Sequence, residues 1–279
     1  MRRSLKLGMV AAAGLVPGSF AIAAGPFGGA EAADAGGGLP EGITITGTIR
    51  DFRTDHPDME AFPGGGTKRL ILPQLGEDGK PVFNRGLIAN EGRSFGKDIQ
   101  VYSEESFNQW FRDVPGVNTS WEHSITLERQ SDGKYVFAKE RPEYFWPADG
   151  KGYGASKGPL RWATAGTRNF HFTYELETQF TYSDPNSRDY DLIFSFTGDD
   201  DVWVYINGNL VVDLGGVHSQ QHGEVNVDSA AADLGLQPGG VYQLKLFFAE
   251  RHTSESNFRV ETTMQLREVE PPPTTGLYD

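Results

Sequence analysis

The 279-residue chain contains no cysteine. Disulfides are therefore excluded, as are zinc and iron–sulfur sites built on thiolates. No stretch after the N-terminal segment is long and apolar enough to cross a bilayer as a helix. Catalytic signatures are missing too. There is no G-x-S-x-G elbow, no P-loop, no dinucleotide glycine fingerprint and no H-E-x-x-H. No repeat of about 20–50 residues is visible. Positive charge is scarce: 25 Lys and Arg stand against 38 Asp and Glu, for a formal charge of −13. A surface of that sign repels phosphate backbones, so nucleic acid is not an expected partner. It suits divalent cations, and it equally serves solubility.

The two ends do not read as part of a fold. Arg2, Arg3 and Lys6 precede a short apolar stretch, Leu5 to Val16, and then the small residues Ala21, Ala23 and Ala24. This is the form of a secretory signal peptide over residues 1–24, with an alternative cut after Ala35. Arg2-Arg3 also admits twin-arginine export, with general secretion the default. The expected product is released outside the cell or held at its surface by partners. Residues 25–41 form a Gly/Ala-rich linker, and residues 268–279, with Pro271-Pro272-Pro273, form a Pro/Thr-rich tail.

Between them, over residues 42–267, the dominant period is two. Ile43, Ile45 and Ile49 alternate with threonines, and Phe170 to Tyr182 alternates with polar residues. Tyr242 to Phe248 and Phe258 to Leu266 do the same. These are half-buried strands. Leu192–Phe196 and Val202–Ile206 are apolar on both faces and are expected as central strands. Asn207-Gly208 supplies the turn of a tight hairpin, with Leu210-Val211-Val212 returning. One helix is expected, capped by Ser103, carrying Phe107, Trp110 and Phe111 on one face and ended by Pro115. A shorter helical turn is expected from Ser229 to Leu234. The whole predicts an all-β fold, a two-sheet antiparallel β-sandwich with small helical insertions.

Three segments carry chemistry. Gly198-Asp199-Asp200-Asp201 places three consecutive carboxylates between two apolar strands. Their repulsion is relieved by a hard cation with oxygen ligands, for which Ca²⁺ is the usual choice outside the cell. Adjacent side chains of an extended chain point opposite ways, so gripping one ion with Asp199 and Asp200 needs a sharp kink such as a cis peptide. A solvated, self-capping turn is the plain alternative. The second segment, Ala249 to Asn257, is a polar loop between good strands, or an ordinary hairpin in which Glu250 and Arg251 pair with each other. The third runs from Asp213 to Gly223. His218 and His222 are spaced for zinc on a helix, but the surrounding glycines argue against that helix. A glycosidase carboxyl pair is a spatial matter and stays open.

The run Thr197 to His218 (TGDDDVWVYINGNLVVDLGGVH) resembles the signature of the fibro-slime domain family, as does Phe247 to Phe258 (FFAERHTSESNF). Thr48 to Phe52 and Phe107 to Asn118 resemble the family's N-terminal part, and the resemblance runs from about Ile43 to Leu266. That family is similar to the protective-antigen-type domains of bacterial toxins, adhesins, glycosidases and yeast flocculins. The resemblance implies a two-sheet sandwich and an extracellular role. It also implies that Asp199 and Asp200, joined by a cis peptide, bind Ca²⁺ while sugar hydroxyls complete the coordination. Asp201 stands where glycine is frequent and is the less certain third ligand. Asn257 is the candidate from a second loop. His218, Glu250, Arg251 and His252 lie in the signature as ligand-binding candidates.

The expected function is a secreted, calcium-dependent, lectin-like adhesin module. Its expected partner is a glycan or cell-surface polysaccharide. A structural fibre or matrix protein is the alternative, with glycoside hydrolase third.

Overall fold

The computed structural model describes residues 39–59, 64–154, 168–252 and 255–269. The expected signal peptide, most of the linker and nearly all of the tail lie outside them.

Among the described residues eleven strands form: β1 (Gly42–Phe52), β2 (Asn118–Arg129), β3 (Tyr135–Lys139), β4 (Phe172–Thr181), β5 (Ile193–Gly198), β6 (Asp201–Ile206), β7 (Asn209–Leu214), β8 (Gln221–Asn226), β9 (Val241–Glu250), β10 (Phe258–Thr262) and β11 (Leu266–Glu268). The expected strands are all present, the last of them split into β10 and β11, while β2, β3 and β8 were not expected from the sequence. Every pairing is antiparallel. Asn207 and Gly208 turn β6 into β7 with φ of 49° and 75°, the values a tight primed hairpin requires.

The two layers expected from sequence are joined into one hydrogen-bonded path, β7-β6-β9-β4-β1-β2-β3-β10-β5-β8, with β11 beside β4. The joint is the β2–β3 hairpin, which pairs only at Glu128↔Val136 and Arg129↔Tyr135 before the strands diverge. The six strands from β7 to β2 make one leaf, and β3-β10-β5-β8 make the other. Inward residues of both leaves meet in one core that includes Ile45, Ile49, Tyr174, Leu246 and Phe248 on one side and Tyr135, Phe194, Phe196 and Phe258 on the other.

A second core explains why Val202–Ile206 is apolar on both faces. Val202, Val204 and Ile206 face the sandwich, while Trp203 and Tyr205 point outward with Phe247 and Ala249 of β9. The excursion between β1 and β2 covers that outer face with Leu70, Phe83, Leu87, Phe107, Trp110 and Phe111, all buried. The other run expected to be apolar on both faces is less so: in β5, Phe194 and Phe196 are buried while Ile193 and Thr197 remain half-exposed.

Among the described residues there are three short α-helices: α1 (Gly86–Ala89), α2 (Glu104–Phe107) and α3 (Val227–Ala230). Ser103 caps α2 as expected, in a box closed by Ser106. The helix is one turn rather than three, because the Asn118 side-chain amide donates to the carbonyls of Gln109 and Arg112 and folds the following turns back. Phe107, Trp110 and Phe111 are nevertheless all buried. The second helical turn begins at Val227, two residues early, where the Asn226 side chain accepts from the Ser229 N–H at 3.0 Å.

Candidate metal and ligand site

Connections that cross from leaf to leaf meet at one end of the sandwich, among them Gly198–Asp201 between β5 and β6 and Arg251–Asn257 between β9 and β10. The register brings them together, since Gly198 lies opposite Phe258 and Asp201 opposite Ala249. A third loop, Gly215 to Gln220 after β7, closes the end. Gly198 permits the approach: a Cβ there would sit 2.1 Å from the Asn257 carbonyl oxygen.

The Asp199–Asp200 peptide is cis. Between them the three aspartates bind both of the other loops. The Asp199 carboxylate accepts from the Asn257 backbone N–H at 2.6 Å and from its side-chain amide at 2.9 Å. Asp200 accepts from the backbone N–H of His218 at 3.2 Å and of Arg251 at 3.1 Å. Asp201 faces away from both. It accepts from Gly216 N–H and, at 2.7 Å, from Arg251 Nε.

Asp199 and Asp200 line a polar cavity of about 360 Å³, shared with Gly64, His218, His252 and Glu255. Behind it Glu250 is fully buried, one residue beyond the Asp201↔Ala249 pair in β9 and so across from Asp200. Glu250 Oε1 accepts from the His252 N–H at 3.3 Å, while Oε2 has no hydrogen-bond partner. The Ser256 hydroxyl is buried beside this carboxylate and works against its upward shift. Burial holds the Asp199 carboxyl above the usual carboxylate range, against the lowering effect of Asn257. Burial, then repulsion between neighbouring carboxylates, pushes Asp200 and Glu250 well above it. The Arg251 guanidinium pairs with Asp201, and its charge also offsets part of the upward shift of Asp200.

These placements sort the residues singled out from sequence. Asp199 and Asp200 share the cavity, and Asn257, the candidate that the resemblance offered, donates its side-chain amide to Asp199 and Glu255. Asp201 serves Arg251 instead of the cavity, because both its oxygens are taken. Arg251 neither pairs with Glu250 nor reaches a ligand. It is fully buried under the excursion, donating to the carbonyls of Asp58 and Gln100 and lying 4.5 Å from the centre of the Trp110 ring. His218 lines the cavity, but its ring nitrogens face the carbonyls of Ser219 and Leu214 at 2.8 and 3.1 Å, so neither lone pair is offered to a metal. His222 is exposed on β8 beside Thr197, so the two histidines do not form a zinc pair. His252 is at the cavity wall.

Sequence reasoning missed three contributors. Glu255 lines the cavity and accepts from the Asn257 side chain at 3.1 Å. Gln100 joins the excursion to the third loop, accepting from Val217 N–H at 3.0 Å and from the Thr67 hydroxyl at 3.2 Å. Asp58, fully buried, accepts from the Trp110 indole at 2.9 Å and so fixes the ring over Arg251. Only the Glu255 carboxylate could have been suspected, from its place in the polar loop.

Among the described residues, no three carboxylate or imidazole groups are already gathered in ligating geometry. The donors are nonetheless those of a hard cation: two adjacent aspartates on one cavity, a buried orphan carboxylate oxygen behind them and no thiolate. The remaining coordination would come from amide or backbone oxygens, water and ligand hydroxyls.

Residues 188–272 match the family model described as "PA14 domain", a span that contains all three loops. Two proteins of Dictyostelium discoideum are similar over much more of the chain. Protein psiD is 34% identical across 81% of this chain and 42% of its own length. Protein psiR is 35% identical across 76% of this chain and 20% of its own. The chain thus spans less than half the length of these relatives. Among solved structures, an anti-sigma factor domain-containing protein shares 15% identity over 42% of this chain and 39% of that one, with a TM-score of 0.28.

Proposed function

We propose that this chain, whose site loops fall within a PA14 domain match, is an exported, calcium-dependent carbohydrate-binding module of the cell surface or extracellular matrix. The observation that carries the reading is the pairing of Asp199 and Asp200 on one polar cavity with the fully buried Glu250 carboxylate behind them. The match adds support, since the PA14 domain is a carbohydrate-binding, adhesin-type module. No helix among the described residues is long and apolar enough to cross a membrane.

Bound calcium would neutralise the aspartates and offer coordination positions to sugar hydroxyls, which its flexible shell of about 6–8 oxygens allows. The protein's part is positional. Asn257, His218 and Arg251 hold the two carboxylates with four N–H groups. Glu255 and His252 stand at the wall where a ligand would meet protein. We read the site as one for binding, and turnover of an oligosaccharide by the isolated chain would count against it.

The test is a thermal melt of chelator-stripped protein across a calcium titration, followed by retention on a glycan array. A saturating stabilisation, about 2.7 kcal/mol at a hundredfold excess over Kd, is expected and should vanish in Asp200→Asn. Glycan retention should be lost with it. A flat melt up to about 10 mM calcium, beyond the weak extracellular range, would refute the reading. A second reading is favoured by the way the aspartate loop is hydrogen-bonded to both neighbouring loops: the cation would serve only to tie those loops in a matrix protein. Calcium-dependent stability with no glycan retained would decide for it.

A further inference from the structure

A groove of about 290 Å³ lies where β2 and β3 diverge. After the two pairs at Glu128 and Arg129, nothing pairs these strands again, and the segment carrying Tyr144 to Pro147 packs into the gap. The groove has an aromatic wall and a polar rim. Phe137, Tyr144 and Trp146 are each half-exposed, and Tyr144 and Trp146 form a corner with ring centres 5.9 Å apart and planes at 69°. Ser124 and Thr126 are exposed along β2; their hydroxyls are hydrogen-bonded to those of Thr46 and Thr44 of β1 at 2.9 and 3.0 Å, and each keeps a lone pair for a further partner.

The groove and the aspartate cavity share a wall. The Tyr144 hydroxyl donates to Glu255 Oε1 at 3.3 Å, and Glu255 lines the cavity. The next residue along, Phe145, donates its N–H to the Ser256 carbonyl at 2.7 Å. Tyr144 itself sits at φ 51°, a left-handed conformation uncommon for a bulky residue and one that clusters at functional sites.

We propose that this groove is a second sugar subsite, and that the ligand is a neutral oligosaccharide spanning both. The proposal rests on the carbohydrate-binding reading above and names its ligand class. A pyranose ring has an apolar C–H face and a hydroxyl rim. The Tyr144–Trp146 corner meets the first and the β2 hydroxyls the second. Ligand pockets for drug-sized molecules begin at about 300 Å³, so the groove holds one or two rings. One sugar residue sits at the aspartates, and the next crosses Tyr144 into the groove. Neutrality follows from charge: the chain carries −13 overall and would repel uronic acids.

The probe is a ladder of neutral hexose homo-oligosaccharides, one to six residues long, titrated into the full chain at saturating calcium. Affinity is expected to rise about tenfold between one residue and three. Trp146→Ala should remove that rise and leave the single-residue affinity unchanged. Thr126→Arg, at an exposed position that fills the groove without entering a core, should do the same should the tryptophan variant fail to fold. Wild-type affinity independent of length, or a rise that survives both substitutions, overturns the subsite and leaves the aspartate site standing. Absence of any retention by the calcium-loaded wild type overturns the binding reading itself, and the subsite with it.

Discussion

Replacing Glu250 by glutamine should change stability in opposite directions with and without calcium. The wild-type carboxylate is fully buried, has one unpartnered oxygen and faces Asp199 and Asp200. In chelator it is a buried like charge. Removing it relieves repulsion and a desolvation cost of about 1–3 kcal/mol. Since about 1 kcal/mol moves Tm by about 2–4 °C in a chain of this size, the chelated variant should melt several degrees higher than wild type. In calcium the same charge attracts the cation. Two unit charges at about 4 Å interact with about 4 kcal/mol at an effective dielectric of about 20. Half that, allowing for a longer path, is a loss of about 2 kcal/mol, or a Kd about thirtyfold weaker. Paired thermal melts in chelator and in calcium, with the Kd from calorimetry, read both arms. A variant displaced equally and in the same direction in both conditions would refute the reasoning. Glu250 would then be a structural carboxylate with no bearing on the cation.

Arg251→Met should destabilise by about 3–5 kcal/mol whether or not calcium is present, because it leaves Asp201 buried and unpaired; urea denaturation in both conditions measures it, and a cost confined to calcium would assign the arginine to the ion site. Gly198→Ala should cost about 1–3 kcal/mol and weaken calcium binding, since the added carbon must push Asn257 away from Asp199; unaltered calcium titration would show that the two loops need not touch. Asp51 gives a pH test. Burial raises its carboxyl from 3.8 to about 6, against the hydrogen bonds from Asn169 and Tyr153. The folded state therefore holds the proton more tightly than the unfolded chain. Its contribution is complete below about pH 4 and is lost as pH rises through 6, an amount of about 3 kcal/mol. Asp51→Asn should flatten the stability profile between those values, and an unchanged slope would mean that another group sets it.

β1, β4, β9 and β10 were legible because alternation survives wherever one face is wet, whereas β2 and β8, richer in charged and polar residues, and the short β3 were not read as strands. Asp199 and Asp200 stood out for a related reason: consecutive carboxylates between two apolar strands have no role in a core. The second core was only half legible. Trp203 and Tyr205 within Val202–Ile206 announce that something covers the outer face, yet nothing local says that Phe107, Trp110 and Phe111 are the cover. The same distance hid Arg251. In a polar loop it reads as exposed, but the alternation Phe247, Ala249, Arg251 carries β9's outward face straight into the second core, and that continuation was the available signal. Glu255 could be suspected from its loop, but its partner Tyr144, 111 positions away, could not.

The order of strands has a consequence for anyone who would cut this protein down. The stretch 188–272 holds every loop of the aspartate site, yet on its own it contains only the two outer thirds of the sheet, β7-β6-β9 and β10-β5-β8, with β11. The strands that bridge them, β4-β1-β2-β3, come from residues 42–181. A fragment trimmed to those limits would be two short, disconnected ribbons with raw edges and a bare tryptophan face, a recipe for inclusion bodies rather than a portable reagent. Grafting this recognition surface onto another scaffold means transplanting the chain from Gly42 onward, buttress included.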